Sequence, residues 1–246
     1  MNLNGKTALI TGGAHRIGGD ITLGLAKAGA NVVINYHNSA QDAEHLAEKV
    51  QRLGSAALPV QADVTKYDQV EKMVAAANKH FGGVDILVNS ASQFTKTPFP
   101  AEDIEEWKKV IEILLFGAFH CTNLVAPSML QKNEGVILNI VDVSAWVPWR
   151  NFSAHSVGKA SLLAFTRQLA LDLAPHVRVN AIAPGPVLPP EGISARGYEN
   201  TAGQTLLGRW GKPQDVVDSV LFLVRSDYIT GEVIVVDGGQ RFAHCK

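Results

Sequence analysis

His155 and Lys159 stand four residues apart in the run FSAHSVGKASL, Phe152 to Leu162. On a helix that spacing puts both side chains on one face, one turn apart. An imidazolium, with an unperturbed pKa of about 6.5, is a good general acid near neutral pH. A lone histidine on a helix is more often structural, so the surrounding elements decide what this one does. A second stretch with chemical potential is TALITGGAHRIGGD, which sets Gly12 and Gly18 between a strand and a helix. Glycines there permit a tight turn and let a pyrophosphate approach the free N–H groups of the helix N-terminus. By itself such a loop can be an ordinary strand-to-helix turn.

The end of the next strand separates two dinucleotides. An NAD site carries an acid there for the ribose 2′-hydroxyl. This chain reads Tyr36, His37, Asn38 and Ser39, with no carboxylate before Asp42. Donors at those positions, with His15 and Arg16 from the glycine loop, suit a 2′-phosphate, the guanidinium as a planar multi-donor. NADPH is therefore expected over NADH. Asn38 and Ser39 also suit a solvated helix start, with Ser39 as its cap.

Both stretches need a scaffold, and the hydrophobic pattern supplies one. Short β-branched runs alternate with helical patterns: TALIT (7–11), a helix through Ile17, Ile21, Leu25 and Ala28 ended by Gly29, then NVVINY (31–36). Helices are expected over about 40–53 and 66–81, and further strands over about 85–89, 135–142, 178–184 and 232–239. The early strands are nearly continuously apolar, as for strands covered by helices on both faces. Such alternation implies right-handed crossovers and a parallel sheet. The expected fold class is α/β, one doubly wound domain over residues 1–246 with about seven parallel strands. The irregular stretch at about 184–212, containing PGPVLPPEG, reads as a substrate lid.

Composition narrows the function. The 246 residues are 46% hydrophobic and 18% charged, enough to bury a layered core without metals or disulfides. A net charge of -1 gives no reason to expect nucleic acid or an anionic membrane surface as partner. Cys121 and Cys245 lack ligand spacing and read as reduced thiols, and no metal site is expected. MNLNGKTALITGG lacks the basic and apolar regions of a signal peptide, and no apolar run reaches the roughly 18–20 residues of a membrane span. The expectation is a cytoplasmic protein acting on a small molecule.

These residues resemble the short-chain dehydrogenase/reductases over essentially the whole chain. The family's T-G-x-x-x-G-x-G motif corresponds to Thr11 through Gly18, with Arg16 in place of the middle glycine and Ile17 beside it. The resemblance implies a Rossmann fold in which Asp63 and Val64 hold the adenine and Asn89 lies against the adenosine side of the cofactor. It also implies that Lys159 binds the nicotinamide ribose hydroxyls, and that the run Asn180 to Val187, including Pro184, closes over the nicotinamide. A homotetramer or homodimer, built on the long helices and the C-terminal strand, is a further implication.

Within the family the chain is most similar to the pteridine reductases. Arg16, the Tyr-His-x-Ser clamp from Tyr36 to Ser39, and Asp142 carry that likeness; most of the family has a serine at the last position, 13 residues before His155. The run NSASQF adds Ser92 and Phe94, the latter matching an aromatic that stacks a pterin against the nicotinamide. Ser92, Phe94 and Asp142 are thereby implied as substrate-binding. Trp146 and Trp149 suit either a pocket wall or a cap on the core at the strand end.

The catalytic signature departs from the family pattern. Tyr-x-x-x-Lys has become His155 to Lys159, and the relay asparagine expected seven residues after Trp107 is Leu114. Lys159 opposes a charge on the His155 ring, and an ionised Asp142 favours one. Imidazole is shorter than phenol, and a misplacement of about 1 Å can cost on the order of a hundredfold in rate. Two functions stand side by side. One is an NADPH-dependent reductase of a pterin-like or other small carbonyl or imine substrate, with Asp142, His155 and Lys159 catalytic. The other is a catalytically silent NADPH-binding relative serving as subunit, sensor or scaffold.

Overall fold

The strands alternate between two cores, and that alternation builds the molecule. In the computed structural model, which describes residues 1–190 and 192–245, β1 (Thr7–Ile10) sends Ala8 and Ile10 to one face and Leu9 to the other. β2 (Asn31–Tyr36) divides Val32 and Ile34 from Val33 in the same way. So does β4 (Ile86–Asn89), with Ile86 and Val88 against Leu87, which follows from the two-residue period of a strand. β3 (Ala57–Gln61), β5 (Gly135–Ile140), β6 (Val177–Pro184) and β7 (Val233–Val236) complete the sheet. All pairings are parallel, in the order β3-β2-β1-β4-β5-β6-β7. This is the expected doubly wound Rossmann fold.

One face is covered by α1 (Arg16–Lys27), α2 (Ala40–Arg52) and α8 (Pro213–Arg225), through Ile21, Leu25, Leu46, Val50, Val217 and Val220. The other is covered by α3 (Tyr67–Phe81), α5 (Gly117–Lys132) and α6 (Ser153–Asp172), through Val70, Met73, Val125, Met129 and Leu169. Each such apolar side chain contributes about 1.5–3 kcal/mol by leaving water.

Two expectations need correction. The stretch 184–212 is not irregular throughout: it contains a helix, α7 (Ala195–Gly203). Ser194 caps that helix by accepting from Gly197 N at 3.1 Å, and Tyr198 stacks on Trp210 with ring centroids 5.2 Å apart. A one-residue cap followed by mixed polar residues left little hydrophobic period to read. Glu191, inside the expected lid, and the side chain of Cys245 lie outside the described residues.

The second concerns apolar length. α4 (Ile104–Ile111) and α5 join through a π turn at Glu112–Phe116 into one 29-residue helix, long and apolar enough by length and composition to cross a membrane. Its residues Cys121, Val125, Ala126 and Met129 pack into the core beneath the sheet, which accounts for the apolar character. No uninterrupted apolar run marks this helix in the sequence, because Glu, Lys, His and Asn punctuate its outer side.

Candidate active site

The strand order reverses between β1 and β4, and open α/β sheets bind ligands in the crevice at such a reversal. Thr11 Oγ1 ties the two strand ends together by accepting from Ser90 N and Ala91 N at 2.9 and 3.0 Å. From the other side Asn35 accepts from Gly12 N at 3.2 Å and donates to Ala62 O at 3.0 Å. Distance requires the glycines: a Cβ on Gly12 would lie 3.1 Å from Ala91 Cα, and one on Gly18 would lie 2.2 Å from Gly12 O. α1 begins with no side-chain cap and no acid in its first turn, so its N–H groups and positive dipole end face an open cradle. Arg16 opens α1 with φ 51, a left-handed conformation costing a non-glycine residue about 1–2 kcal/mol. A nicotinamide dinucleotide fits this cradle, with its pyrophosphate on α1.

His15, Arg16, His37 and Asn38 are exposed, and Ile17 and Tyr36 are half-buried. Ser39 stands at the start of α2 but makes no capping hydrogen bond, which leaves its hydroxyl available. Asp63 Oδ1 accepts from Thr65 N at 2.9 Å and Thr65 Oγ1 at 2.8 Å. Burial raises the Asp63 carboxyl, but those two bonds and the charges of His37 and Lys66 hold it below the usual carboxylate range. Val64 is buried, and its carbonyl lies 2.9 Å from His120 Nδ1.

Three expected cofactor residues sit deeper than the motif suggests. Asn89 Nδ2 donates to Asn139 Oδ1 at 2.8 Å, and Asn139 Nδ2 donates to Thr166 Oγ1 at 2.9 Å. This buried polar ladder joins β4, β5 and α6 through the Asn89 amide nitrogen, while Asn89 Oδ1 is buried with no hydrogen-bond partner among the described residues. Val187 packs into the core with Val216 and Val217, while Pro184 ends β6 half-buried. Lys159 is buried and donates to Ile140 O at 2.7 Å. Burial lowers the Lys159 ammonium, the Asp142 charge opposes this, and the net shift is downward.

Asp142 follows β5 and caps a short 3-10 turn, Val143–Ala145. Its Oδ1 accepts from Ser144 N at 2.8 Å and from the Ser144 hydroxyl, and its Oδ2 lies 2.6 Å from His155 Nε2. The other ring nitrogen, Nδ1, lies 3.3 Å from the Gln93 carbonyl oxygen. Trp149 stacks on the imidazole at 5.9 Å and 9°, and Phe94 meets it edge-on at 5.1 Å. The His155 and Asp142 side chains are 3% and 15% exposed, so the carboxylate is the outward member of the pair. Phe94 itself stacks on Phe152 at 4.5 Å and is 61% exposed, with exposed Ser92 nearby in the chain.

Both ring nitrogens face oxygens. A carbonyl only accepts, and so does an ionised carboxylate, so satisfying both contacts requires one proton more than a neutral ring and a carboxylate hold together. Burial raises the Asp142 carboxyl, but the His155 hydrogen bond and the charges of Lys159 and His155 outweigh it and leave the carboxyl below its usual range. The arrangement is an enclosed imidazole joined to a carboxylate that is the more accessible of the two.

Leu114 lies in the π turn and is fully buried. A Cβ on Gly158 would come within 2.7 Å of Leu114 Cδ1, so leucine packs directly on α6 between His155 and Lys159. No polar relay passes through that position. Sequence reasoning missed Gln93, Phe152, Thr11 and Asn35. Gln93 acts through its carbonyl and is anchored by its amide, which donates to Glu106 Oε1 at 2.6 Å; no side-chain pattern announces a main-chain acceptor.

Comparison with known proteins bears on the family and the fold. The family described as enoyl-(acyl carrier protein) reductase matches residues 12–241. A 3β-hydroxysteroid dehydrogenase of Eggerthella lenta is 35% identical over 249 residues, covering 97% of this chain and 95% of that protein. A 3-oxoacyl-(acyl-carrier-protein) reductase of Staphylococcus epidermidis is 34% identical over 240 residues, covering 96% and 98%. Among solved structures, FolM alternative dihydrofolate reductase 1 from Brucella canis, complexed with NADP, superposes with a TM-score of 0.92 at 32% identity, covering 98% of this chain and 96% of that one. The chain belongs to the short-chain dehydrogenase/reductase family of NAD(P)-dependent oxidoreductases.

Proposed function

We propose that this protein is an NADPH-dependent reductase of a flat, ring-borne imine or carbonyl, of the pteridine reductase type, in which Asp142 passes the proton and His155 stores it. The observation that carries this reading is the 2.6 Å contact between an outward carboxylate and an enclosed imidazole. When bound, NADPH supplies the hydride that reduces the ring carbon. The chain does the rest. Arg16, His37, Asn38 and Ser39 suit the 2′-phosphate because no acid closes β2, and the uncapped start of α1 suits the pyrophosphate.

Phe94, backed by Phe152, presents an exposed ring face for a heteroaromatic substrate. Asp142 takes the proton from His155 Nε2 and passes it to the nitrogen or oxygen left basic by reduction. Trp149 and Phe94 keep water from the imidazole. Lys159 holds Asp142 ionised between turnovers. A pterin is favoured by the combination of Arg16, His37, Asp142 and Phe94, and by the likeness to a dihydrofolate reductase.

Leu114 favours a rival, a cofactor-binding protein without turnover, because it closes the relay position with apolar packing. One experiment separates them. NADPH consumption is followed with dihydrobiopterin, dihydrofolate and a set of quinonoid and keto compounds from pH 5 to 9, and cofactor binding is measured separately by nicotinamide fluorescence. Turnover of a dihydropterin that declines toward alkaline pH is the expected result. Turnover of keto compounds alone removes the pterin, and tight binding without any turnover establishes the rival.

A further inference from the structure

Two arginines of this fold are treated differently. Arg178 donates to three backbone carbonyls, those of Leu223, Val224 and Ile229, at 2.8 to 3.2 Å, and so fastens the end of α8. Arg241 does nothing comparable. It lies in the short 3-10 turn Gln240–Cys245 after β7, half-buried, and its Nε is buried with no hydrogen-bond partner among the described residues. No carboxylate among the described residues comes within ion-pair distance of it. Asp237, the nearest acid in the chain, turns its two oxygens onto Gly239 N at 2.8 Å and Arg241 N at 3.0 Å.

Position gives the orphan its meaning. The Arg241 guanidinium carbon lies 5.9 Å from the centroid of the Trp146 ring and 4.7 Å from that of Phe242. Trp146 ends the 3-10 turn that Asp142 caps, donating its backbone N–H to Val143 O at 3.1 Å. The Arg241 turn also packs on the segment leaving β6: a Cβ on Gly185 would lie 2.7 Å from Asp237 and 3.2 Å from Gln240 Oε1. The cation thus stands over Trp146, which closes the turn that Asp142 opens. Aromatic rings attract a guanidinium but take none of its in-plane N–H bonds. Buried polar groups in folded proteins are nearly always paired, and the planar edge of a guanidinium matches a carboxylate.

We infer that Arg241 is a substrate anchor that binds a carboxylate, so the protein acts on ring compounds carrying an acidic tail. This rests on the reductase reading of the Asp142 crevice and adds a charge requirement to it.

The test uses matched pairs of acid and neutral probe. Binding of 2-naphthoate and 2-naphthamide to the protein in the presence of NADPH is read from quenching of tryptophan fluorescence, for wild type, Arg241→Met and Arg241→Lys. Thermal melts verify that both variants are folded. Wild type should bind the carboxylate roughly tenfold or more tightly than the amide, Arg241→Met should erase the difference, and Arg241→Lys should keep part of it. Equal or undetectable binding of the two probes, or a preference that survives in Arg241→Met, overturns the proposal.

A turnover arm compares KM for dihydrofolate and its dimethyl ester. Arg241-dependent naphthoate preference without turnover of any substrate sinks the reductase reading and keeps the anion site. Turnover with equal KM for acid and ester, unchanged in Arg241→Met, does the reverse.

Discussion

The glycine loop after β1 and the Asp142–His155 pair after β5 sit on the same edge of one sheet, yet they are held in place by different means. At the loop the main chain makes the site: Gly12 and Gly18 are needed for their lack of a Cβ, and Thr11 and Asn35 grip backbone N–H groups. At the pair the side chains make it. Asp142 is oriented by Ser144 and His155, and His155 is enclosed by Trp149, Phe94 and the Gln93 carbonyl. Leu114 closes the floor near Gly158. A main-chain cradle tolerates change in its side chains, whereas a site built from side chains depends on every member. Cofactor binding and turnover should therefore come apart under substitution.

The sharpest separation is expected from Asp142→Asn. It keeps the shape but removes the outward proton carrier, and kcat should fall by about 10²–10⁴-fold. The Kd for NADPH, by fluorescence titration, should stay within about twofold; an equal loss in both would break the comparison. His155→Tyr comes next. A phenol overfills the slot between Trp149 and Phe94, at a stability cost of about 1–3 kcal/mol, and displaces the proton source from Asp142. Its kcat should drop on the order of a hundredfold; a gain in activity would instead mark the site as a remnant.

Arg16→Gly probes the other end. Relief of the left-handed backbone should raise stability by about 1 kcal/mol. Loss of the guanidinium should weaken NADPH by roughly tenfold or more and leave NADH nearly unchanged. A variant that is less stable, or equally weakened toward both cofactors, would remove Arg16 from phosphate recognition.

The smallest effect expected is on acid stability. The folded Asp142 and Asp63 carboxyls both lie below their ordinary value. Each therefore contributes stability above an unfolded value of about 3.9, and that contribution is lost as pH falls through the lower, folded value. Tm should decline below about pH 4, less steeply in Asp142→Asn than in wild type. Parallel curves would mean that the Asp142 carboxyl has no net stabilising partner.

Local patterns were legible to different depths. The apolar runs of β1, β2 and β4 announce a buried parallel sheet because strands covered on both faces are apolar nearly throughout. The glycine loop and the missing acid after β2 are equally local, since each acts within a few residues of chain. Helix α7 was hidden because its cap is one serine and its exposed surface has little apolar period. The Asn89 amide nitrogen turns to Asn139, a partner on another strand that neighbouring sequence does not name.

By itself the sequence determined the fold and the glycine cradle, because these follow from hydrophobic period and glycine geometry along short stretches, whereas Asp142 and the catalytic column of His155 were implied by the family resemblance. Only the tertiary structure decided how these residues are layered. His155 lies behind Asp142 because Trp149 and Phe94 close over its ring, and Arg241 reaches Trp146 because the turn after β7 folds back over the segment leaving β6. Burial and pairing between distant segments are properties of packing, and no stretch of chain contains them alone.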